Sequence, residues 1–356
     1  MNFNFFGKKI SSVITILPEN ESCFDDEMPN YNFPERKSKI LKELMGYNKH
    51  KIAADNQLAS DFIIAGFKRL FEDKVVEPED IDVLIYITQS PDYLVPQTST
   101  IIQDQIGLKK DILCFDLNQG CAGFIHGLFQ AFFMLENPSI NKVAIANSDV
   151  LSHKVNKKDR NSYPLVGDGG SIVIVERSEI KNEIFCFNKT FGENALAISI
   201  PAGGFKLPST DETAKDFEDE DGNIRSLNNL VMQGASVFSF VQEYVPIMIE
   251  SLFEKSKLEE KDIDFFIFHQ PNKFMLEKLA DKLKIPHEKM PNNIVENFGN
   301  GSGITIPLNM CFNLNDRLSK EGLKICFGGF GVGLTLAGII MDVEKIPYMN
   351  LISLKD

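Results

Sequence analysis

The chain repeats itself at an offset of 182 residues. Residues 70–82 (LFEDKVVEPEDID) and 252–264 (LFEKSKLEEKDID) are identical at seven of thirteen positions. The same offset places Asn118-Gln-Gly-Cys121 on Asn300-Gly-Ser-Gly303. An amphipathic helical stretch precedes each long match, at 58–71 and 237–253. A short apolar run follows each, VLIYIT at 83–88 and FFIFHQ at 265–270, the pattern of a strand buried on both faces. Two matches in one register point to duplication, with similar halves over about 1–180 and 181–356. Within each half, strand and helix patterns alternate, which predicts a layered α/β fold. Further strands are expected at 112–118, 142–150 and 171–178. Two more, at 324–329 and 333–341, flank a Gly-rich turn and read as a hairpin. Residues 206–228 are polar, acidic and aperiodic, and are expected to form a solvated loop or excursion.

Composition narrows the function. The 356 residues carry a net charge of −13, which argues against nucleic acid or an anionic membrane as the main partner. No run of about 18 apolar residues exists, so no transmembrane helix is expected. The start, MNFNFFGKKISS, reads into a strand and is not a signal peptide. The six cysteines (23, 114, 121, 186, 311, 326) form no C-x-x-C pair, and the five histidines show no metal-ligand spacing. Reduced thiols in a cytoplasm, without zinc, fit that pattern.

Three residues carry chemistry. Cys121 stands where an apolar strand turns through Asn-Gln-Gly-Cys-Ala-Gly into an apolar helix. A helix N-terminus favours the thiolate, and small neighbours leave room for a substrate; a buried inert cysteine is the bland alternative. His269 ends the run FFIFH ahead of Gln270-Pro271, and sites gather at strand C-termini in α/β sheets. Asn300 lies in the Gly-rich loop NFGNGSG, where an asparagine orients a carbonyl or merely tolerates a turn. GGFGVG at 328–333 fits no nucleotide-binding spacing; it reads as a close-approach turn whose N–H groups could face a ligand. The repeat sets Cys121 and the Asn300 loop in equivalent positions of the two halves. Cysteine, histidine and asparagine meeting at one face describe thioester chemistry.

With these residues assembled, the chain resembles the 3-oxoacyl-[acyl-carrier-protein] synthase III family of condensing enzymes, within the thiolase superfamily. The likeness rests on MGYNKHKIA (45–53), FDLNQGCAGFIHGL, NSDVL with the following Asp159-Arg160, VGDGGS (166–171), FHQPN, FGNGSG and CFGGFGVGL. It implies a thiolase-like five-layered α-β-α-β-α fold of two duplicated halves, and a homodimer. It also implies an acyltransferase that joins an acyl thioester, such as acyl-CoA, to malonyl-acyl-carrier protein, needing no metal or redox cofactor. By this resemblance Cys121 is the acylated nucleophile. His269 and Asn300 assist decarboxylation of the malonyl thioester by hydrogen-bonding its carbonyl. The backbone N–H groups of Cys121 and Gly329 form the oxyanion hole, a type of donor worth about 3–4 kcal/mol of barrier. Arg160 contacts coenzyme A.

Departures from the family pattern carry their own expectations. The chain has no tryptophan to set against an adenine, and the usual G-I-R-E-R segment is Gly46-Tyr-Asn-Lys-His50, without its CoA-contacting arginine. Val95 stands where a phenylalanine often floors a short acyl pocket, which predicts a pocket for a longer or branched acyl group. Lys273, Lys278 and Lys282, on an expected helix after HQPN, offer a basic face to an acidic carrier. The usual docking cation is Phe274 here. Rival readings are a thiolase using Cys326 as a second cysteine, an acyltransferase that does not decarboxylate, and a non-catalytic partner subunit.

Overall fold

Along 83–87, Val83, Ile85 and Ile87 pack into one apolar cluster and Leu84 and Tyr86 into another, and all five are buried. A strand apolar on both faces needs a layer on each side, and this governs the architecture. The computed structural model describes residues 1–355. Its main strands are β1 (Asn2–Phe6), β2 (Lys8–Pro18), β3 (Val83–Ile87), β4 (Leu113–Leu117), β5 (Lys142–Asp149), β6 (Gly169–Arg177), β7 (Glu183–Thr190), β8 (Phe265–Phe268), β9 (Leu323–Gly331), β10 (Thr335–Val343) and β11 (Tyr348–Leu354). The helices that matter here are α1 (Glu35–Met45), α2 (Ala59–Glu72), α3 (Thr98–Gln105), α4 (Gly123–Met134), α5 (Gly234–Ser256), α6 (Lys273–Leu283) and α7 (Thr305–Asn313).

The strands form two large sheets, one in the order β11-β2-β6-β5-β3-β4 and the other in the order β1-β7-β10-β9-β8. In the first, β2–β6 and β6–β5 are antiparallel and β5–β3 parallel. In the second, β7–β10 and β10–β9 are antiparallel and β9–β8 parallel. The same four-strand arrangement therefore occurs twice. The expected division at residue 180 falls between β6 and β7, but each sheet borrows an edge strand across it. β1 pairs with β7 of the second sheet, and β11 pairs with β2 of the first.

Between the sheets lie α4 and α7. Phe124, Leu128 and Phe132 of α4 and Ile306 and Met310 of α7 pack with Ile85 and Val173 of one sheet and Phe327 and Ile339 of the other. α2 and α3 cover the outer face of the first sheet, and α5 and α6 that of the second. The layers run α-β-α-β-α. The expected hairpin is β9–β10, in register from Leu323–Val343 to Gly331–Thr335. Residues 206–228 are ordered rather than merely solvated. A two-stranded ribbon, Phe217–Glu218 with Ile224–Arg225, is anchored by the buried Arg225, which pairs with Asp219 and Asp159.

Phe327 is fully buried in the middle layer, edge-on to Phe124 with centroids 6.3 Å apart. Phe327→Ala is expected to lower the unfolding free energy by about 3–5 kcal/mol, read as a reduced urea midpoint with an unchanged slope.

Candidate active site

Each chemistry-bearing residue found in the sequence sits in a turn or loop beside a main element. Cys121 lies in the turn between β4 and α4, two residues ahead of the helix. His269 directly follows β8, and Asn300 bridges to Val166 in the loop before α7. The layering brings these ends together. All three line one cavity of about 370 Å³, whose walls include Tyr47, Met45, Phe238, Phe274 and Met275. A smaller chamber of about 60 Å³ continues past Cys121 and Asn300, lined by Gln89, Leu151, Val166, Leu230 and Val332 among others.

The nucleophile's surroundings oppose one another. Burial pushes the half-buried Cys121 thiol up, and the Asp149 carboxyl, itself raised to about 7 by burial, adds to this. The N–H groups of Val332 and of Cys121 itself, with the Ser302 hydroxyl, pull the other way. Burial wins, so the helix end does not yield a free thiolate in the resting enzyme. Gly331 makes the approach possible. A Cβ there would sit 2.6 Å from both Cβ and Sγ of Cys121, and its φ of +149 already excludes most side chains.

The glycine-rich turn brings a second amide to the sulfur. Gly329 lies within β9, in register with Ala337, and its open side presses on Ala122, 2.8 Å from the Cα. Its glycine serves helix–sheet packing. The second amide at the sulfur is that of Val332, three residues on, which pairs with the N–H of Cys121.

His269 is buried, and burial pushes its pKa down to about 3, so the ring is neutral. The hydroxyl of Thr305 donates its one hydrogen to the Ser302 carbonyl at 3.0 Å. The 2.8 Å contact from His269 Nδ1 to that oxygen must then be donated by the histidine. Nε2 is left bare for the cavity. It is a proton acceptor at rest, and it can donate to a thioester carbonyl only after taking up a proton. Asn300 is oriented the opposite way. Its Oδ1 accepts from the Ser302 N–H at 2.9 Å, which leaves the Nδ2 amide as the group offered to the cavity.

A buried pair that sequence reading missed stands behind the Asn300 loop. His50 Nδ1 donates to the Val166 carbonyl at 2.5 Å and Nε2 lies 2.6 Å from Glu27, while Glu27 also accepts from Tyr31 and Ser22. The ring is fixed at both nitrogens. It holds the 165–167 backbone, where Leu165 accepts from the Asn300 N–H at 2.7 Å and the Gly167 N–H donates to Asn300 at 3.0 Å. No spacing between positions 27 and 50 signals this contact.

The comparisons with known proteins agree with this site. Residues 115–191 match the profile of 3-oxoacyl-[acyl-carrier-protein] synthase III, and residues 253–343 match its C-terminal profile. A putative 3-oxoacyl-[acyl-carrier-protein] synthase 3 of Campylobacter jejuni is 30% identical over 353 residues, covering 99% of this chain and 98% of the relative. The chain belongs to the 3-oxoacyl-[acyl-carrier-protein] synthase III family. A beta-ketoacyl-[acyl-carrier-protein] synthase III of Fusobacterium nucleatum is 31% identical over 85% of this chain and 89% of its own length. Among solved structures, a 3-oxoacyl-(acyl-carrier protein) synthase from Burkholderia xenovorans superposes with a TM-score of 0.92 at 27% identity, covering 99% of each chain. A 3-oxoacyl-(acyl-carrier-protein) synthase III gives 0.88 at 30% identity, covering 94% of this chain and 99% of that one.

The chain is thus a thiolase-fold acyltransferase that performs the malonyl-carrier-protein condensation of fatty-acid biosynthesis. Family members use CoA thioesters as substrates and need no bound cofactor. Among the described residues no His, Cys, Asp or Glu cluster could hold a metal ion. Cys326 is fully buried on the α5–α6 side of β9, away from the cavity, so it cannot serve as a thiolase's second cysteine.

Arg160 lies beside the cavity-lining Asn161, with its guanidinium over the Phe33 ring at 3.4 Å. Val95 is 82% exposed and lines neither chamber of its own chain, so the small chamber does not show the deeper pocket expected from that residue. The α6 lysines are partly engaged: Lys273 lies 3.8 Å from Glu296, Lys278 lies 3.7 Å from Asp281, and Lys282 donates to the Gln242 carbonyl.

Alkylation of Cys121 by iodoacetamide, followed by peptide mass, is expected to accelerate with pH through 9 without levelling off; a plateau near neutrality would refute the raised thiol. Gly331→Ala is expected to stop acylation of Cys121 with the far-UV circular dichroism unchanged. His50→Ala leaves Glu27 buried without its partner and is expected to cost about 3–5 kcal/mol of stability by chemical denaturation.

Proposed function

We propose that Cys121, His269 and Asn300 run the condensation through an acyl-Cys121 intermediate. The observation that carries this reading is their convergence on one cavity, with two backbone amides at the sulfur. Nε2 of His269 accepts the Cys121 thiol proton as the sulfur attacks the donor thioester, and returns it to the departing thiol. The N–H groups of Cys121 and Val332 hold the negative oxygen of the tetrahedral intermediate. The malonyl thioester then takes the emptied cavity. As CO₂ leaves, Asn300 Nδ2 donates to the thioester oxygen that gathers the enolate charge. The enolate carbon attacks the acyl-cysteine carbonyl and expels the thiolate, giving a 3-oxoacyl thioester. The 60 Å³ chamber past the sulfur favours a short acyl group.

The protein acts as a homodimer in this reading. β4 is an edge strand with one side unpaired, Leu113 on it is 54% exposed, and Tyr93, Leu94 and Val95 are 60%, 72% and 82% exposed. An edge and an apolar run of this kind call for cover by another chain, and Val95 enters an acyl-pocket role only through such a partner. Lys273, Lys278 and Lys282 supply the docking face for malonyl-carrier protein, and free cysteines throughout support a cytoplasmic setting. Among the described residues no helix is long and apolar enough to cross a membrane.

Intact-protein mass after incubation with a thioester panel tests the intermediate. One acyl mass is expected on the wild type and none on Cys121→Ala. Asn300→Ala is expected to retain acylation but to slow condensation by about 10²–10³, the usual effect of removing one oxyanion donor. Equal loss of both steps would reassign Asn300.

A further inference from the structure

We propose that Gln89 selects the acyl donor, and that the donor is a short hydroxyacyl thioester in preference to a plain alkyl one. This rests on the acyl-enzyme reading above and names the substrate class of that same site. The chamber of about 60 Å³ past Cys121 is where the acyl chain must lie, because the larger cavity has to be clear for the malonyl thioester. Its walls are mostly apolar, with Leu151, Leu165, Val166, Leu230 and Val332 among them. One carboxamide breaks them.

Gln89 stands two residues past β3 and is fixed at both ends. Asp149 Oδ1 accepts from its N–H at 2.6 Å and from the Thr88 and Ser90 hydroxyls at 3.2 and 3.1 Å, which sets the turn. The side chain lies against Gly120, the residue before the nucleophile. A Cβ on Gly120 would stand 2.3 Å from Gln89 Oε1, 2.8 Å from Cδ and 3.1 Å from Nε2, so only glycine admits the amide there. The Ser302 hydroxyl links it to the chemistry: it favours the Cys121 thiolate and donates to Gln89 Oε1 at 3.4 Å. With Oε1 spent, the Nε2 end is left, and it donates to no described residue.

The other polar side chains of the chamber are committed. Asn300 Oδ1 accepts from the Ser302 N–H, its Nδ2 is reserved for the thioester oxygen, and Ser162 bonds to Asp159. An alkyl chain packed over Gln89 Nε2 would cut its hydrogens off from water without a partner, which costs more than one hydrogen bond returns. The group that fits must therefore accept. A carboxylate finds no cation, since no Lys, Arg or His lines the chamber among the described residues and Asp149 lies behind the Gln89 backbone. An ammonium brings only donors. A hydroxyl is a neutral acceptor small enough for the volume. Selection of this kind is steep: a site that hydrogen-bonds a hydroxyl rejects the analogue lacking it far better than an apolar pocket rejects one methyl group.

The test is the initial rate of Cys121 acylation, by intact mass, from CoA thioesters at low concentration in pairs of equal size. Lactoyl is set against isobutyryl, and 3-hydroxybutyryl against isovaleryl, with each hydroxyacyl enantiomer run separately and acetyl-CoA alongside. In at least one pair the hydroxyacyl donor is expected to react about tenfold faster or more than its methyl isostere. Gln89→Leu keeps the bulk and removes the donor, and is expected to reverse that order by speeding the alkyl thioester. Should the variant not fold, as read by far-UV circular dichroism, the wild-type order alone decides. Alkyl donors reacting as fast as hydroxyacyl ones in both pairs, an adduct from acetyl-CoA alone, or a folded Gln89→Leu that keeps the wild-type preference overturns the inference while the acyl-enzyme stands. No adduct from any thioester overturns the acyl-enzyme reading and this inference with it.

Discussion

Burial of α4 between two sheets is the constraint from which the site follows. The helix is apolar around most of its circumference, GFIHGLFQAFFM, and can be stable only with a layer on each side. Meeting that demand requires both sheets, and it brings β9 against the N-terminus of α4. Gly329 lies against Ala122 and Gly331 against Cys121, closer than any side chain would permit. The two amides at the sulfur are a by-product of this contact. When the hairpin turns after Gly331, the Val332 amide is left beside the sulfur.

The polar groups of the site are held by a second set of contacts, each of which uses up one atom and leaves another for chemistry. Thr305 accepts from His269 Nδ1 and so frees Nε2; the Ser302 N–H occupies Asn300 Oδ1 and so frees Nδ2. One loop supplies Asn300 and Ser302, with Thr305 opening α7 just after it, so the histidine and the asparagine are set by a common segment. The His50–Glu27 pair steadies that loop from behind by fixing the Val166 carbonyl. Burial raises the cysteine and lowers the histidine, so both are neutral at rest.

Much of this was legible in residue order. Strands buried on both faces write themselves as apolar runs, and β3, β5, β6, β8, β9 and β10 lie within a few residues of their expected positions. His269 was visible because it ends such a strand, Cys121 because it stands at a strand-to-helix turn, and Asn300 because it lies in a Gly-rich loop. Val332 was not, because it contributes a backbone amide and its side chain carries no signal. Gly329, named through the family resemblance, has its open side against Ala122. The ribbon at 217–225 looked like solvated loop, since the anchor that orders it, Arg225 with Asp159 and Asp219, joins a distant position to a local one.

The sequence by itself determined the layered α/β class, the repeated strand pattern, and which residue types stand at the ends of buried elements. Those are consequences of hydrophobic periodicity and of local turn chemistry, and both act over a few neighbouring residues. The tertiary structure alone decided which amide faces the sulfur, which nitrogen of His269 carries the proton, and which edge strand each half lends the other. Those depend on distances between residues far apart in the chain, and on burial, which no single segment carries.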